Sequence, residues 1–315
     1  MQEILDRRSV PDGPEGDPAQ LQAGGLVQQL SAAALICLPL GGVIYAGVRL
    51  WGHGIGWLDL GLAVGMYFFT GYGLAVGFHR MFTHASFRPA RALKITLAIA
   101  GSMAIEGSLF TWVAQHRRHH AYADRVGDPH SPWRYGTGVW PQFKGLWHAH
   151  AGWFFVANPS EPERWIPDLL DDKDLRFVSR TAALWSVLSL LLPFLVGLAV
   201  TRTLIGGMLA LLWAGAVRVA VLHHVTWGVN SFAHMFGSRP YRTRDRSANV
   251  ALLSVLSFGD SWHNAHHAYP ALARHGVDRW QIDSAAVLIH WFERLGWAED
   301  VKWPQASKIA ARRLA

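Results

Sequence analysis

Four long apolar stretches dominate the hydrophobic pattern of the chain. They cover residues 26–48, 60–78, 181–200 and 203–232, and only the last contains a charged side chain, Arg218. Each is close to or above the length of about 20 residues with which a helix crosses a bilayer. Hydrophobic residues make up 51% of the 315 residues and charged residues only 16%, which is too apolar for a soluble domain of this size. The pattern predicts an all-α integral membrane protein with four transmembrane helices.

A fifth apolar stretch, residues 93–113, has a different pattern. Glu106 splits it and Lys94 shortens it, so that only residues 95–105 are free of charge. This length suits an interfacial or re-entrant segment better than a span. Residues 1–25 are polar and rich in Pro and Gly, which predicts a disordered tail. No linker divides residues 26–315, so we expect one membrane-embedded domain there.

The basic residues predict the orientation of the spans. Of the 29 Lys and Arg, 13 lie in residues 79–180 and 11 after residue 235, whereas the two short turns between spans contain one each, Arg49 and Arg202. Basic residues concentrate on the cytoplasmic side of membrane proteins. We therefore expect two helical hairpins, with residues 79–180 and 235–315 folded into a helical cytoplasmic cap and with both termini in the cytoplasm.

Histidine is unusually frequent, with 17 residues against 22 Asp and Glu, and it occurs in clusters. Two clusters share the spacing H-x-x-H-H, in which the first and last histidine lie on one face of a helix and the middle one about 100° away. One such cluster can therefore reach two adjacent metal ions. The candidate ligands from the clusters and from a further Asn and His pair are His79, His84, His116, His119, His120, Asn230, His234, His263, His266 and His267.

The clusters can meet only if the chain between them crosses the membrane an even number of times. It crosses twice between His120 and His263, and not at all between His84 and His116 if residues 93–113 do not span. Nine neutral imidazoles suit two first-row ions such as iron, with positions left for water or dioxygen. Structural zinc sites close at four ligands, and the single cysteine, Cys37, leaves no cysteine-based metal site.

Two other classes of protein fit the sequence less well than a di-metal enzyme does. A metal transporter or sensor would place its ligands near the middle of the bilayer, whereas these clusters lie at span ends and outside the spans. The net charge of +7 is not accompanied by a basic helix or an RNA-binding motif, so we expect no nucleic-acid partner. An enzyme with two metal ions is the preferred interpretation.

With these motifs, the chain resembles the membrane fatty-acid desaturases, most closely the acyl-CoA delta-9 (stearoyl-CoA type) group with its bacterial members. The resemblance extends from about the second span to Gln281 and includes GFHRMFTH (77–84), WVAQHRRHH (112–120), DPH (128–130), HAGW (150–153), TWGVNSFAH (226–234) and GDSWHNAHH (259–267). It implies one iron on His79, His84, His116, His120 and His266, a second on His119, His234, His263 and His267, and a water held by Asn230. Asp260 replaces the usual Glu, and as a carboxylate it is expected to support a histidine of the third cluster.

The resemblance also implies the reaction, which is the insertion of a double bond into a long saturated acyl chain, delta-9 on acyl-CoA, by two non-haem Fe²⁺ ions and dioxygen. The sequence has no nucleotide, flavin, iron–sulfur or haem motif. We therefore expect a separate electron-transfer protein of the ferredoxin or cytochrome b5 type with an NAD(P)H reductase. The alternatives are a membrane di-iron acyl or alkyl hydroxylase, and a desaturase acting on acyl lipid or acyl carrier protein.

Several further residues are predicted to contact the substrate. Trp112 and Trp227 are expected to line the acyl channel near the metals, and Ala63 and Tyr67, one turn apart on the second span, to close its methyl end. Arg117 is a candidate for the anionic acyl head. The same role is open to Arg80, Arg88, Arg91 and Arg118. His223 and His224 are expected to face the channel or a neighbouring helix.

Overall fold

The protein is almost entirely helical. The computed structural model describes residues 22–157 and 160–314, so most of the tail predicted to be disordered lies outside the described residues. The elements in chain order are α1 (Leu26–His53), α2 (Trp57–Thr83), β1 (Arg88–Pro89), α3 (Arg91–Ser102), α4 (Leu109–Tyr122), α5 (Val139–His150), α6 (Pro162–Trp165), α7 (Pro167–Leu170), α8 (Lys173–Arg180), α9 (Ala182–Thr201), α10 (Leu204–His234), α11 (His263–Ala268), α12 (Ser284–Arg294), β2 (Ala298–Glu299) and α13 (Ala306–Ala311). The two short strands pair antiparallel.

Four of these helices, α1, α2, α9 and α10, are long and apolar enough to cross a bilayer. They match the four apolar stretches of the sequence to within about five residues at each end. Large apolar side chains along these helices point outwards, and Leu38 and Ile44 are 73% and 71% exposed. Such surfaces are expected where helices face lipid instead of water. The prediction of a mostly helical chain with four candidate spans is confirmed.

Helix α10 lies at the centre of the bundle. It forms a hairpin with α9 through the short turn at Arg202, and both α1 and α2 pack against its first half. The first span thus contacts the fourth more extensively than it contacts the second. Helix α10 ends at His234. This histidine therefore lies at the same end of the bundle as the histidines of α2.

The second half of α2, Gly73–Thr83, is a π-helix. In this form the backbone N–H bonds to the carbonyl five residues earlier, and the N–H of His84 accordingly donates to the carbonyl of His79 at 3.3 Å. Residues five apart then lie nearly above one another. The wider turn therefore explains how His79 and His84 share one face, which an ordinary α-helix would not allow.

Helices α3 and α4 both pack beside α2, and neither is among the four candidate spans of the described residues. The contact between α2 and α3 is close, since a Cβ on Gly73 would lie 2.2 Å from the backbone nitrogen of Gly101. This pairing places the segment between α3 and α4, residues 103–108, level with the middle of α2. That residues 93–113 form an interfacial or re-entrant segment stays a prediction, with which these short helices agree.

The segment between α3 and α4 is held by polar side chains from two spans. Arg218, only 2% exposed, donates from its guanidinium to the carbonyls of Met103 (3.4 Å) and Ser189 (3.3 Å). The carbonyl of Ser189 lacks its helical partner because residue 193 is a proline, which has no N–H. His223 donates to the carbonyl of Ala104 at 2.9 Å. Irregular backbone at membrane depth is tolerated when such groups satisfy it, so Arg218 and His223 have a structural role.

We expect Arg218→Met to lower the thermal unfolding midpoint of the detergent-solubilised protein. The variant keeps the length of the side chain but leaves a buried carbonyl without a donor, at a cost of about 1–3 kcal/mol. Pro193→Ala restores a backbone donor to Ser189, so the double variant should regain part of the loss. Equal losses in the single and double variants would contradict the coupling of Arg218 to Pro193, and Arg202→Met, on an exposed turn, is the control.

Candidate metal centre

Nine histidines from four helices converge into two groups at one end of the bundle. Within each group the ligand nitrogens lie within 4.8 Å of one another. The first group is His79, His84, His116, His120 and His266, and the second is His119, His234, His263 and His267. These are the two sets that the family resemblance implies, although the nine residues span 189 positions of the chain. The grouping by geometry does not depend on that resemblance.

The first group combines the end of α2 with α4 and α11. The Nε2 atom of His266 lies 3.0 Å from Nε2 of His79 and 3.0 Å from Nε2 of His120, which is 3.2 Å from Nε2 of His116. The Nε2 atom of His84 is buried and has no hydrogen-bond partner among the described residues. Five imidazole edges therefore face a common point.

The second group forms where the end of α10 meets α11. The Nε2 atom of His263 lies 3.0 Å from Nε2 of both His234 and His267. The fourth member, His119, presents a buried Nε2 that is unpaired among the described residues. Because His119 and His120 are adjacent on α4, neighbouring side chains of one helix belong to different groups, as the H-x-x-H-H spacing predicts.

The separations between these nitrogens fit bound metal ions. Two nitrogens at right angles on one ion, each about 2.1 Å away, lie about 3.0 Å apart. In the second group His234 and His267 donate their Nδ1–H to carboxylates, so both direct an Nε2 lone pair at His263. His263 has one Nε2 proton at most and could satisfy only one of them. A cation between the three would remove this repulsion, so the residues present could hold a metal ion.

Four carboxylates orient the ligand histidines from behind. Each accepts a hydrogen bond from a histidine Nδ1, which fixes the tautomer and leaves Nε2 free for a metal. The pairs are His79 with Asp260 (3.1 Å), His119 with Asp128 (3.0 Å), His234 with Asp124 (2.9 Å) and His267 with Asp245 (2.8 Å). The expectation that Asp260 supports a histidine of the third cluster is wrong, since it contacts His79 of the first. The sequence indicated no role for Asp124, Asp128 or Asp245.

Burial lowers the pKa of several imidazoles, and neighbouring histidines keep a supporting carboxylate ionised, as metal binding requires. Burial, together with the neighbouring histidines, lowers the pKa of His116 and His120 well below the usual value for histidine. Burial also lowers the pKa of His267 to about 4, against the opposing effect of Asp245. For Asp128, burial alone would raise the pKa, but His119 and the hydrogen bonds hold it below its usual range. Burial would also lower the pKa of His234, but Asp124 outweighs this effect and raises it. At neutral pH, His116, His120 and His267 are therefore neutral and Asp128 is ionised.

A mostly apolar cavity reaches the two groups from within the bundle. It lies between α2, α4, α10 and the segment before α11. Its lining comprises Gly71, Leu74, Ala75, His79, Trp112, His116, Leu222, Val225, Thr226, Val229, Asn230, Leu256, Ser257, Phe258, Asp260 and His263. Gly71 is required here because a Cβ would lie 2.2 Å from the ring of Phe258. The apolar lining suits methylene groups of a hydrocarbon chain close to the histidines, while the volume of the cavity, about 40 Å³, is too small for a whole acyl chain.

The predicted substrate residues have different positions relative to this cavity. Trp112 lines it and stacks on His116 with ring centroids 4.9 Å apart, and Asn230 lines it beside His263. Trp227 is not part of this lining, and its buried ring packs against Phe154 and the histidines of α10, so its place on the channel stays a prediction. Ala63 is also outside the lining. Tyr67 does not line the cavity either, but it contacts a residue that does: its hydroxyl donates to the carbonyl of Leu256 at 2.8 Å.

Arg117 does not have the free guanidinium that binding an acyl head would require. Its five N–H groups donate to both oxygens of Asp168 and to the carbonyls of Phe82, Thr83 and Trp165. A guanidinium has only five donors. Arg117 joins α4 to the end of α2 and to α7, and these bonds do not support the predicted contact with substrate.

Glu106, between α3 and α4, is a site residue to which the sequence assigned no role. It accepts a hydrogen bond from the indole N–H of Trp112 at 3.1 Å, so it positions a ring that lines the cavity. Burial raises the pKa of Glu106 to about 8, which means that the carboxyl is protonated at neutral pH. Between pH values of about 5 and 8 the folded state holds a proton that the unfolded state releases, so stability falls as the pH rises through this window.

We expect Glu106→Gln to flatten this dependence. An amide keeps an oxygen for Trp112 and does not ionise, so the variant should lose less thermal stability than the parent between about pH 5.5 and 8. Thermal unfolding midpoints across this range measure the effect. Glu163→Gln, at an exposed position, controls for the loss of a carboxyl, and parallel pH profiles for all three proteins would contradict a buried protonated Glu106.

Comparison with known proteins agrees with this geometry. Residues 55–294 match the sequence profile of a family described as fatty acid desaturase. Over 88% of its length the chain is 39% identical to the hex-5-enoyl-[acyl-carrier protein] acetylenase of Moorena producens, of which it covers 87%. It is 34% identical over 81% of its length to the sn-1 stearoyl-lipid 9-desaturase of Synechocystis, covering 75% of that protein. It is 36% identical over 82% of its length to the delta-9 acyl-lipid desaturase 1 of Arabidopsis thaliana, covering 79%.

Proposed function

Because the chain belongs to the fatty acid desaturase family, we propose that it inserts a mid-chain double bond into a long saturated acyl chain at a non-haem di-iron centre. The observation that carries this proposal is the pair of histidine groups at the head of an apolar cavity. The overall conversion is –CH₂–CH₂– + O₂ + 2e⁻ + 2H⁺ → –CH=CH– + 2H₂O. Bound iron supplies the activation of dioxygen that removal of hydrogen from an unactivated carbon demands.

The protein contributes position, protonation state and exclusion of water. The nine imidazoles would hold the ions, and the four carboxylates keep each supported imidazole in the tautomer that leaves Nε2 free. Leu222, Val225 and Val229 of α10 provide an apolar wall beside His116 and His263. An acyl chain against this wall displaces water and brings its methylene groups to the metals. Asn230 lines the same cavity, and we propose that its amide orients a water beside the second group.

We place the acyl chain on a membrane lipid, with acyl-CoA as the alternative that the sequence favoured. Two of the compared relatives are named as acting on acyl lipids. In addition, three of the arginines considered for an anionic head, Arg80, Arg117 and Arg118, are buried or bonded within the protein. The other two pair with acids, Arg88 with Glu299 and Arg91 with Asp174. This set therefore leaves no free cation for the phosphates of coenzyme A.

Expression in a desaturase-deficient bacterial host tests the proposal. Mass spectrometry of the host lipids should show new monounsaturated chains, and derivatisation across the double bond gives its position. Membranes supplied with stearoyl-CoA or with a stearoyl-containing glycerolipid then identify the carrier, because only the correct one is converted without prior acyl transfer. Hydroxylated chains in place of unsaturated ones would instead show a hydroxylase, and saturated chains alone in a protein loaded with iron would refute both activities.

We also propose that the histidine end of the bundle faces the cytoplasm, with a separate electron donor on that side. The support is the concentration of Lys and Arg in residues 79–180 and 235–315. A single cysteine introduced at exposed Arg202 and another at exposed Arg294, each in a Cys37→Ser background, test it. A membrane-impermeant thiol reagent should label the first from outside the cell and the second only after lysis.

Tyr67→Ala should allow longer saturated chains into the cavity without moving the double bond. The ring of Tyr67 packs on Phe258 with centroids 5.6 Å apart, and Phe258 lines the cavity. Loss of the ring leaves space into which Phe258 can move. Competition assays with mixed chain lengths measure the preference, and Tyr67→Phe, which keeps the ring and removes the hydroxyl, is the control. An unchanged preference in Tyr67→Ala would show that this residue does not close the cavity.

A further inference from the structure

The segment that follows α10, residues 239–246, forms an exposed basic loop beside the second histidine group. It contains four exposed arginines, Arg239, Arg242, Arg244 and Arg246. Throughout residues 22–157 and 160–314, none of the four forms an ion pair with a carboxylate, whereas Arg80, Arg117 and Arg313 do. The only acid in the loop, Asp245, is turned inwards. The loop therefore presents positive charge that the described part of the chain does not neutralise.

Hydrogen bonds connect this basic loop directly to the ligands of the second group. Asp245 accepts from Nδ1 of His267 at 2.8 Å, so a residue of the loop orients one ligand. The backbone N–H of Arg246 donates at 2.7 Å to Asp124, the same carboxylate that accepts from His234 at 2.9 Å. The loop is thus held in place by the carboxylates that support the site.

Trp133 lies between the loop and the site. Its indole N–H donates to the carbonyl of His234 at 2.8 Å, and the guanidinium of Arg246 lies over its ring, 3.9 Å from the centroid. The ring is half-buried. An aromatic side chain thus joins the charged surface to a ligand histidine through one hydrogen bond.

The basic loop and the acyl cavity approach the histidines from different sides. Among the described residues, the cavity is lined by α2, α4, α10 and the segment around Phe258, and by no residue of 239–246. A chain in the cavity would therefore leave the loop free. A partner bound to the loop would not touch the metal site directly and could reach it only through protein groups that lie between. Because the surface of the loop is positively charged, the complementary partner is acidic.

We propose that the basic loop, with Trp133, is the docking surface for a small acidic one-electron carrier protein. The inference rests on the proposed function, which consumes two electrons for each double bond. In each encounter the reduced carrier loses one electron and the metal pair gains it, through Trp133 and His234, so two encounters supply one turnover. The two protons and the dioxygen that complete the balance come from solvent.

Binding of a plant-type [2Fe–2S] ferredoxin to the iron-loaded protein in lipid nanodiscs tests the surface. Arg242→Glu/Arg244→Glu reverses two exposed charges that do not touch the ligand carboxylates. We expect about tenfold weaker binding in this variant and a smaller loss of affinity on raising the salt concentration than in the parent. Arg279→Glu/Arg294→Glu changes the same charge at two other exposed positions and should bind as the parent does. Equal affinity in both double variants would overturn the docking surface.

Trp133→Phe separates docking from electron transfer. The phenyl ring still supports Arg246 but cannot donate to His234, so ferredoxin affinity should stay within about twofold of the parent while reduction of the iron, followed by absorbance after rapid mixing, becomes slower. An unchanged reduction rate would overturn the route. Coenzyme A or phosphatidylglycerol vesicles that compete with ferredoxin through Arg242 and Arg244 would assign the loop to an anionic head instead.

These measurements can be told apart from a failure of the proposed function. Ferredoxin binding and iron reduction are recorded without an acyl substrate, whereas the proposed function is judged from lipid products. If the parent binds ferredoxin and accepts electrons but forms no double bond, the docking proposal stands and the proposed function fails. If the parent forms double bonds but both double variants bind ferredoxin with equal affinity, the proposed function stands and the docking proposal fails.

Discussion

His119→Ala and His267→Ala should each abolish desaturation and reduce the iron bound per chain, which we expect to be about two in the parent, one for each histidine group. Both residues belong to the second group, which has only four imidazoles, so the loss of one opens the shell of that ion. The effect on the fold should be small because His267 lies on the short helix α11 and His119 within a helix that also carries ligands of the first group. Elemental analysis together with product analysis measures both effects.

His290→Ala is the matched control for these variants. His290 is an exposed histidine of α12 and belongs to neither group, so its removal should leave iron content and activity unchanged. A parent with a single metal ion, or full iron and full activity in both ligand variants, would exclude the two-ion assignment. Iron reduced to about half with no activity in either variant would agree with it, because the first group keeps all five imidazoles.

Asp124→Asn should weaken iron binding about 10- to 100-fold, the effect usual for a carboxylate behind a ligand histidine. Asp124 accepts from His234 and from the backbone of Arg246 through the same oxygen. The amide has the same shape but no charge, and it can present its NH₂ group to His234 in place of an acceptor. Iron retention during titration with a chelator measures the change. Asp171→Asn, at a fully exposed carboxylate, should retain iron as the parent does, and equal retention in Asp124→Asn would show that the pair does not support the ion.

The sequence indicated which histidines of one helix lie together because their spacing follows the helix that carries them. Positions i and i+4 share a face, so His116 and His120 could be assigned together without a structure. The supporting carboxylates could not be found in this way. Asp245 lies 22 residues from His267, and Asp124 lies 110 residues from His234. These pairs exist only because α4, α10 and α11 meet, which no local pattern records.

The surface arginines show the same limit from the opposite direction. In the sequence, any basic residue near the histidines is a candidate for binding an anionic substrate. Whether an acid neutralises it becomes visible only in the fold. Every N–H group of Arg117 is bonded within the protein. The sequence indicated no role for the arginines of residues 239–246, which have no carboxylate partner among the described residues. The π-helical end of α2 could not be predicted either, because no residue type in the sequence marks this hydrogen-bond pattern. The π-helix explains the five-residue spacing of His79 and His84.

Arg218 has a consequence for the order in which the chain is inserted into the bilayer. An arginine near the middle of an isolated span makes insertion unfavourable by about 2.5–3.5 kcal/mol, so α10 is the span least suited to enter lipid alone. Its guanidinium is satisfied by Ser189 of α9 and by Met103, between α3 and α4, and both precede α10 in the chain. The groups that accept this charge are therefore synthesised before the helix that brings it, and we expect α10 to integrate together with α9 as a pair, against segments already in place.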